Sequence, residues 1–209
     1  KDSILASLEA TASSPSRRTI ANRIQTLVHR GEFYIGLKPA TTFLEKGRPL
    51  DVQVLAADPK GAVQSGRKVR VSLVRRDWRS VRKAGLGGRY RWLTEHEDTE
   101  VSSRETRTAA GPETLTFSPD KSGFYFLLAS SVDALGNPIS TTTSFYVTGD
   151  DYVPWERRDD DSIELVADAD GYRPGAEARI LVKSPFEKAR ALVTVERELV
   201  LESRVVEID

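Results

Sequence analysis

The 209-residue sequence predicts an all-β chain built from successive antiparallel sandwich domains. Apolar residues recur at every second position in short runs, as in Val52, Val54 and Ala56 or Val69, Val71 and Leu73. That is the period of a half-buried strand. β-Branched and aromatic residues fill these runs, and clusters of Gly, Pro, Asp, Asn and Ser separate them at close intervals. An apolar share of 39% is enough to bury a core.

Two runs open the chain, Ile4–Ala12 and Thr19–His29, separated by the turn cluster Ser13-Ser14-Pro15-Ser16. They read as a hairpin. A lone hairpin is marginal in water, so residues 1–30 are expected to complete a preceding domain. A new rhythm begins at Phe33–Leu37 and continues through Leu50–Ala57, Lys68–Arg76, Arg89–Glu97, Glu113–Phe117, Gly123–Val132 and Thr142–Val147. Turns fall at Asp58-Pro59-Lys60-Gly61, Gly85-Leu86-Gly87-Gly88, Ser118-Pro119 and Gly136-Asn137-Pro138. Seven strands in roughly 115 residues are the signature of an Ig-like or related sandwich, here residues 31–149. From Asp150 to Asp161 alternation gives way to charge and Pro154, the composition of a linker. A third unit, residues 162–209, follows with Ile163–Val166, Ala178–Val182, Arg190–Arg197 and Val200–Ile208. Four strands are too few to close a sandwich, so this unit is expected to be the start of a further domain.

Composition narrows the function. Lys and Arg total 31 against 31 Asp and Glu, so no basic excess marks a nucleic-acid surface. No run reaches the roughly 18 apolar residues of a membrane helix, and residues Lys1–Glu9 lack the layout of a signal peptide. The chain opens at Lys1 without any methionine, which points to a processed chain or an excised segment. Cysteine is absent, which removes disulfides, thiolate metal sites and cysteine nucleophiles from this stretch.

Each candidate for chemistry has a plainer reading beside it. His29 and His96, the only histidines, lie far apart without a partner at ligand spacing. Both read as ordinary strand residues. Asp159, Asp160, Asp161, Asp168 and Asp170 could offer oxygen to Ca²⁺, but the glycine and bidentate glutamate of an EF-hand loop are missing. Gly85–Gly88 lacks the Lys-Ser/Thr that follows a phosphate-cradling loop. No Gly-x-Ser-x-Gly elbow exists, and no feature selects a carboxylate pair. The sequence thus offers no catalytic, cofactor-binding or metal-ligating residue. What stands out is a hairpin rich in arginine and aromatic residues. It holds Arg75, Arg76, Trp78, Arg79, Arg82, Lys83, Arg89, Tyr90, Arg91 and Trp92. Of these, Trp78, Arg79, Arg82, Lys83, Arg89 and Trp92 are the candidate contacts for an acidic partner or a neighbouring domain, with Arg stacking on Trp.

Particular strings in the chain are more specific. Asp161–Leu165, Tyr172-Arg173-Pro174-Gly175-Ala176, Lys183-Ser184-Pro185-Phe186 and Ala191–Arg197 follow one another in the third unit. Glu32–Leu37, Trp78, Phe117-Ser118-Pro119, Gly123-Phe124-Tyr125 and Asp133–Asn137 mark the middle one. Together they resemble the bacterial α2-macroglobulin family, near the segment that leads into its bait region. The resemblance implies tandem macroglobulin-like sandwiches of Ig/fibronectin-III type. It implies a periplasmic or cell-envelope parent, lipid-anchored in some settings, whose partners are proteases and whose macroglobulin-like domains contact one another. Family members that carry a thioester need Cys-x-x-Gln, which a chain without Cys does not contain. The implied role is a non-enzymatic scaffold of a protease trap. The alternative from the residues alone is an Ig-like adhesion or carbohydrate-binding module.

Overall fold

The computed structural model describes residues 3–84, 90–149, 153, 163–169, 171–184, 186 and 188–208, and for 80–84 and 90–93 the backbone alone. Among these residues every regular element is a strand. The chain opens with an antiparallel hairpin, β1 (Ile4–Ser13) and β2 (Thr19–Val28), in unbroken register from Ile4 opposite Val28 to Ser13 opposite Thr19. Its turn closes through Ser14 and Arg18, with Arg17 in the left-handed region at φ 60°. Apolar residues on both strands, among them Leu5, Leu8, Ile20 and Ile24, are exposed, so this hairpin encloses no core of its own.

Eight strands then form one sandwich. They are β3 (Tyr34–Pro39), β4 (Phe43–Glu45), β5 (Leu50–Ala57), β6 (Lys68–Ala84), β7 (Tyr90–Arg107), β8 (Glu113–Phe117), β9 (Gly123–Val132) and β10 (Pro138–Thr148). One sheet runs β4-β10-β9-β6-β7 and the other β3-β5-β8. Alternation does what the sequence implies. Val52, Val54 and Ala56 from β5 meet Val69, Val71 and Leu73 from β6, with Tyr125, Leu127, Ala129, Phe145 and Val147 from β9 and β10. Tyr125 stacks on Phe145 with ring centres 5.6 Å apart and donates its hydroxyl hydrogen to the Lys121 carbonyl at 2.8 Å. Burial pushes that phenol's pKa above its ordinary value.

Several differences from the expected elements have local causes. β4 has three residues and pairs parallel to β10, so the sandwich is not wholly antiparallel and holds eight strands instead of seven. A strand that short carries no readable period. β7 runs ten residues past the expected end at Glu97. It is an edge strand, charged on both faces, and a bulge at Val101 shifts its parity, so no hydrophobic alternation announces it. β6 likewise continues beyond Arg76, the last residue it pairs with β9. From Asp77 outward it pairs with β7 alone, as a two-stranded arm.

The turn between β9 and β10 holds the buried carboxylate of Asp133. It accepts hydrogen bonds from the backbone N–H groups of Leu135 (3.0 Å) and Asn137 (2.8 Å), from the Asn137 amide (2.9 Å), and from the N–H of Glu32 (3.2 Å). Gly136 takes φ 84° there, a conformation costly for any side chain. Glu32 returns the contact by accepting from Ala134 N–H, so the segment that enters the sandwich is tied to this turn. The Asn137 amide, then the backbone donors, hold the Asp133 carboxyl below its usual range. A depressed folded-state pKa adds stability that is present above the unfolded value of about 4 and is lost as pH falls through the folded one. Asp133→Asn is therefore expected to destabilise the sandwich at pH 7 and to flatten its loss of stability below about pH 5. Urea midpoints measured across that range check this, and parallel curves for the two proteins would contradict it.

After the sandwich come two further hairpins. The first joins β11 (Glu164–Ala167) to β12 (Ile180–Lys183), and the second joins β13 (Ala189–Arg197) to β14 (Leu199–Ile208). Leu192, Val195, Leu199 and Leu201 are exposed on the second.

Candidate partner-contact surface

The outer face of the five-stranded sheet carries the residues that sequence reasoning singles out. Strand period and register place Trp78 and Arg76 of β6, His96 and Asp98 of β7, Phe124 and Phe126 of β9 and Tyr146 of β10 on this one face. The rings pack edge to face or tilted. His96 lies 5.3 Å from Trp78 at 61°, Trp78 6.5 Å from Phe124 at 53°, and Phe124 5.4 Å from Tyr146 at 62°. This arrangement suits aromatic quadrupoles, but it gives no coplanar platform for a sugar. The Arg76 guanidinium lies over both Trp78 (5.4 Å) and Phe126 (5.2 Å), held there by two hydrogen bonds to Asp98 at 2.7 and 2.8 Å. That pairing holds the Asp98 carboxyl below its usual range. A groove of about 470 Å³ runs beside it, lined by Arg76, Phe124, Phe126, Thr142, Thr143 and Ser144.

Of the six candidate contacts, Trp78 sits half-buried in the aromatic row and Arg79 is exposed. Arg79 donates to Glu97 at 3.2 Å. Arg82 and Lys83 occupy register positions opposite Trp92 and Arg91. The side chains of Arg82, Lys83 and Trp92, and Arg89 altogether, lie outside the described residues, as does the Gly85–Gly88 turn. Among the described side chains, four basic residues of β6 are answered by acids of β7. Lys68 pairs with Glu105, Arg70 with Glu100, Arg76 with Asp98 and Arg79 with Glu97. Sequence reasoning misses these acids because it follows the basic run and stops near its end. The signal is there: antiparallel pairing of β6 with β7 lays the acid-rich stretch Glu95–Glu105 back along the arginines. Apart from the half-buried, doubly bonded Arg76–Asp98 pair, such exposed cross-strand pairs are worth little individually, and among the described residues they offset part of the positive charge of β6.

The two histidines stand apart. His29, just past the end of β2, has Nδ1 2.7 Å from the Tyr34 hydroxyl, which in turn is 2.6 Å from Ser3 Oγ. Ser3 Oγ also lies 3.5 Å from His29 Nδ1, so the three side chains form one cluster that ties the first hairpin to the start of the sandwich. Asp168 accepts from the Tyr172 hydroxyl and from the Arg179 N–H at 3.3 Å, and these bonds hold its carboxyl below the usual range, the Tyr172 hydroxyl foremost. Asp159, Asp160, Asp161 and Asp170 lie outside the described residues. Among the described residues no three acids or histidines come together as a metal site.

A sandwich of two unequal sheets, with hairpins before and after it, defines a β-sandwich module. Residues 36–149 match the family model for bacterial macroglobulin domain 6. The chain belongs to the bacterial α2-macroglobulin family. It is 29% identical over 161 residues to an alpha-2-macroglobulin homolog from Nostoc sp., a match covering 77% of this chain and 8% of that protein. The solved native conformation of E. coli α2-macroglobulin is similar in fold, with a TM-score of 0.54 at 13% identity over 95% of this chain and 14% of that one. Salmonella α2-macroglobulin reacted with methylamine gives a TM-score of 0.51 at 15% identity, over 96% of this chain and 13% of that one. This chain therefore spans only a small part of the length of the relatives it matches.

Proposed function

We propose that this chain is a non-catalytic scaffold segment of a bacterial α2-macroglobulin-type protease trap. The observation that carries the reading is the family match across nearly all of the sandwich, residues 36–149. The physical design agrees with it. One rigid core is flanked by hairpins whose apolar residues are exposed, as expected of a module that packs in series with others of its kind. In a trap, such modules move as bodies while the polypeptide between them absorbs the change. The parent would work outside the cytoplasm, in the periplasm or cell envelope, and its partners would be proteases that cut a bait elsewhere in the polypeptide.

The test compares the 209-residue chain with its intact parent against a broad-specificity protease, using a large protein substrate and a small peptide. The parent should block most cleavage of the large substrate and spare most cleavage of the peptide, because enclosure excludes by size. The 209-residue chain alone should do neither. Stoichiometric inhibition of peptide cleavage by this chain would make it a direct active-site inhibitor and sink the scaffold reading. A parent without effect on either substrate would sink the trap.

A further inference from the structure

The corner of the sandwich formed by β4 and β10 has a polar and aromatic surface, and the hairpin β11–β12 sits on it. Phe43 is the starting observation. It pairs in parallel register with Tyr146, so its side chain points to the outer face of the sheet, away from the core that Leu44 joins. Yet Phe43 is only 7% exposed. Part of its cover comes from across the 150–162 segment. The Arg179 guanidinium lies over the Phe43 ring at 5.7 Å and reaches Glu45 at 3.7 Å. The Thr42 hydroxyl donates to the Ala167 carbonyl at 2.6 Å, which satisfies a backbone group at the end of β11. One strand further in, Lys183 of β12 lies over the Tyr146 ring at 4.9 Å. It donates to Glu164 at 2.6 Å and to the Tyr146 hydroxyl at 3.3 Å. The Lys183 side chain is 12% exposed, unusually low for a lysine.

The hairpin itself has little else to hold it. Its strands are four residues each, and Leu165, Ile180 and Val182 are exposed. Two short strands do not persist alone in water, so the hairpin's order depends on the corner. We propose that the β4–β10 corner is a docking surface for residues 164–183 of the same chain. Lys183, Arg179 and Thr42 are its clasps, and the body that moves as one runs from Phe33 to Ser184, beyond the family-matched 36–149. Residues 150–161, linker-like by composition, then join two parts of one body instead of two independent units. The hinge that a rearranging protein needs is displaced to the far side of β12, toward β13. This inference rests on the joint's geometry and holds whether or not the parent traps proteases.

The chain has no cysteine, so two introduced ones report cleanly. Spin labels at Lys121→Cys, on the sandwich, and Glu177→Cys, on the hairpin loop, should give one narrow distance distribution by pulsed electron resonance. Adding Lys183→Ala and Arg179→Ala should broaden it at least twofold while β9 amides keep their hydrogen-exchange rates. Lys183→Met with Tyr146→Phe keeps apolar volume, guards against a merely misfolded variant, and should broaden it likewise. A broad distribution in the parent chain, or a width that neither pair of substitutions changes, would overturn the proposal.

Discussion

Phe145→Ala should lower the unfolding free energy of the sandwich by about 3–5 kcal/mol, the range for emptying a fully buried phenylalanine site. Phe145 is 0% exposed and lies in β10, the strand that joins the short parallel edge β4 to the centre of the larger sheet. Its ring stacks on Tyr125, which is pinned in turn through its hydroxyl to Lys121. Tyr125 cannot collapse into the space without giving up that hydrogen bond or its β9 register, so the cavity persists and the full cost is felt. Native domains have only about 5–15 kcal/mol to lose. Urea unfolding followed by tryptophan fluorescence measures the change. A loss below about 1 kcal/mol would mean that the two sheets repack freely, unlike a close-packed interior.

Amide exchange should divide the chain even more sharply. Central amides of β6 and β9, inside the five-stranded sheet, should exchange at least ~1,000-fold more slowly than those of β1–β2, because only global unfolding exposes them. The first hairpin has ten paired positions but exposed apolar residues on both strands, and opening it releases no core. Exchange measured by mass spectrometry on the 209-residue chain gives both rates in one experiment. If β1–β2 proves as protected as β9, its faces are covered in solution, by a second copy or by its own sandwich.

Much of the sandwich is legible in the order of its residues. β5, β8 and β9 begin and end where alternation and turn residues say they should, because each has one face in the core and one in water. Burial then writes its period directly into the sequence. The Asp58 and Gly136 turns are legible for a related reason: their backbone conformations demand particular residues. β7 beyond Glu97 is not legible, since an edge strand bearing charge on both faces and a bulge has no period to read. The pairing of β4 alongside β10 is hidden by its length of three residues. The candidate surface is half legible. Trp78 and the arginines stand out along the chain, but Asp98 and Glu100 acquire meaning only once β7 folds back over β6.

The all-β class, most strands of the core and the family follow from the residues in their linear order. They rest on local periodicity and on strings of residues that stay adjacent along the chain. Folding in three dimensions was needed to show that Arg70, Arg76 and Arg79 of β6 are answered by acids of β7, that Arg76 is held between Trp78 and Phe126, and that Lys183 reaches Tyr146 across 37 positions. Electrostatic and aromatic contacts act over a few ångströms of space whatever the separation in sequence. The sequence therefore carries the groups that make them and leaves their pairing to the fold.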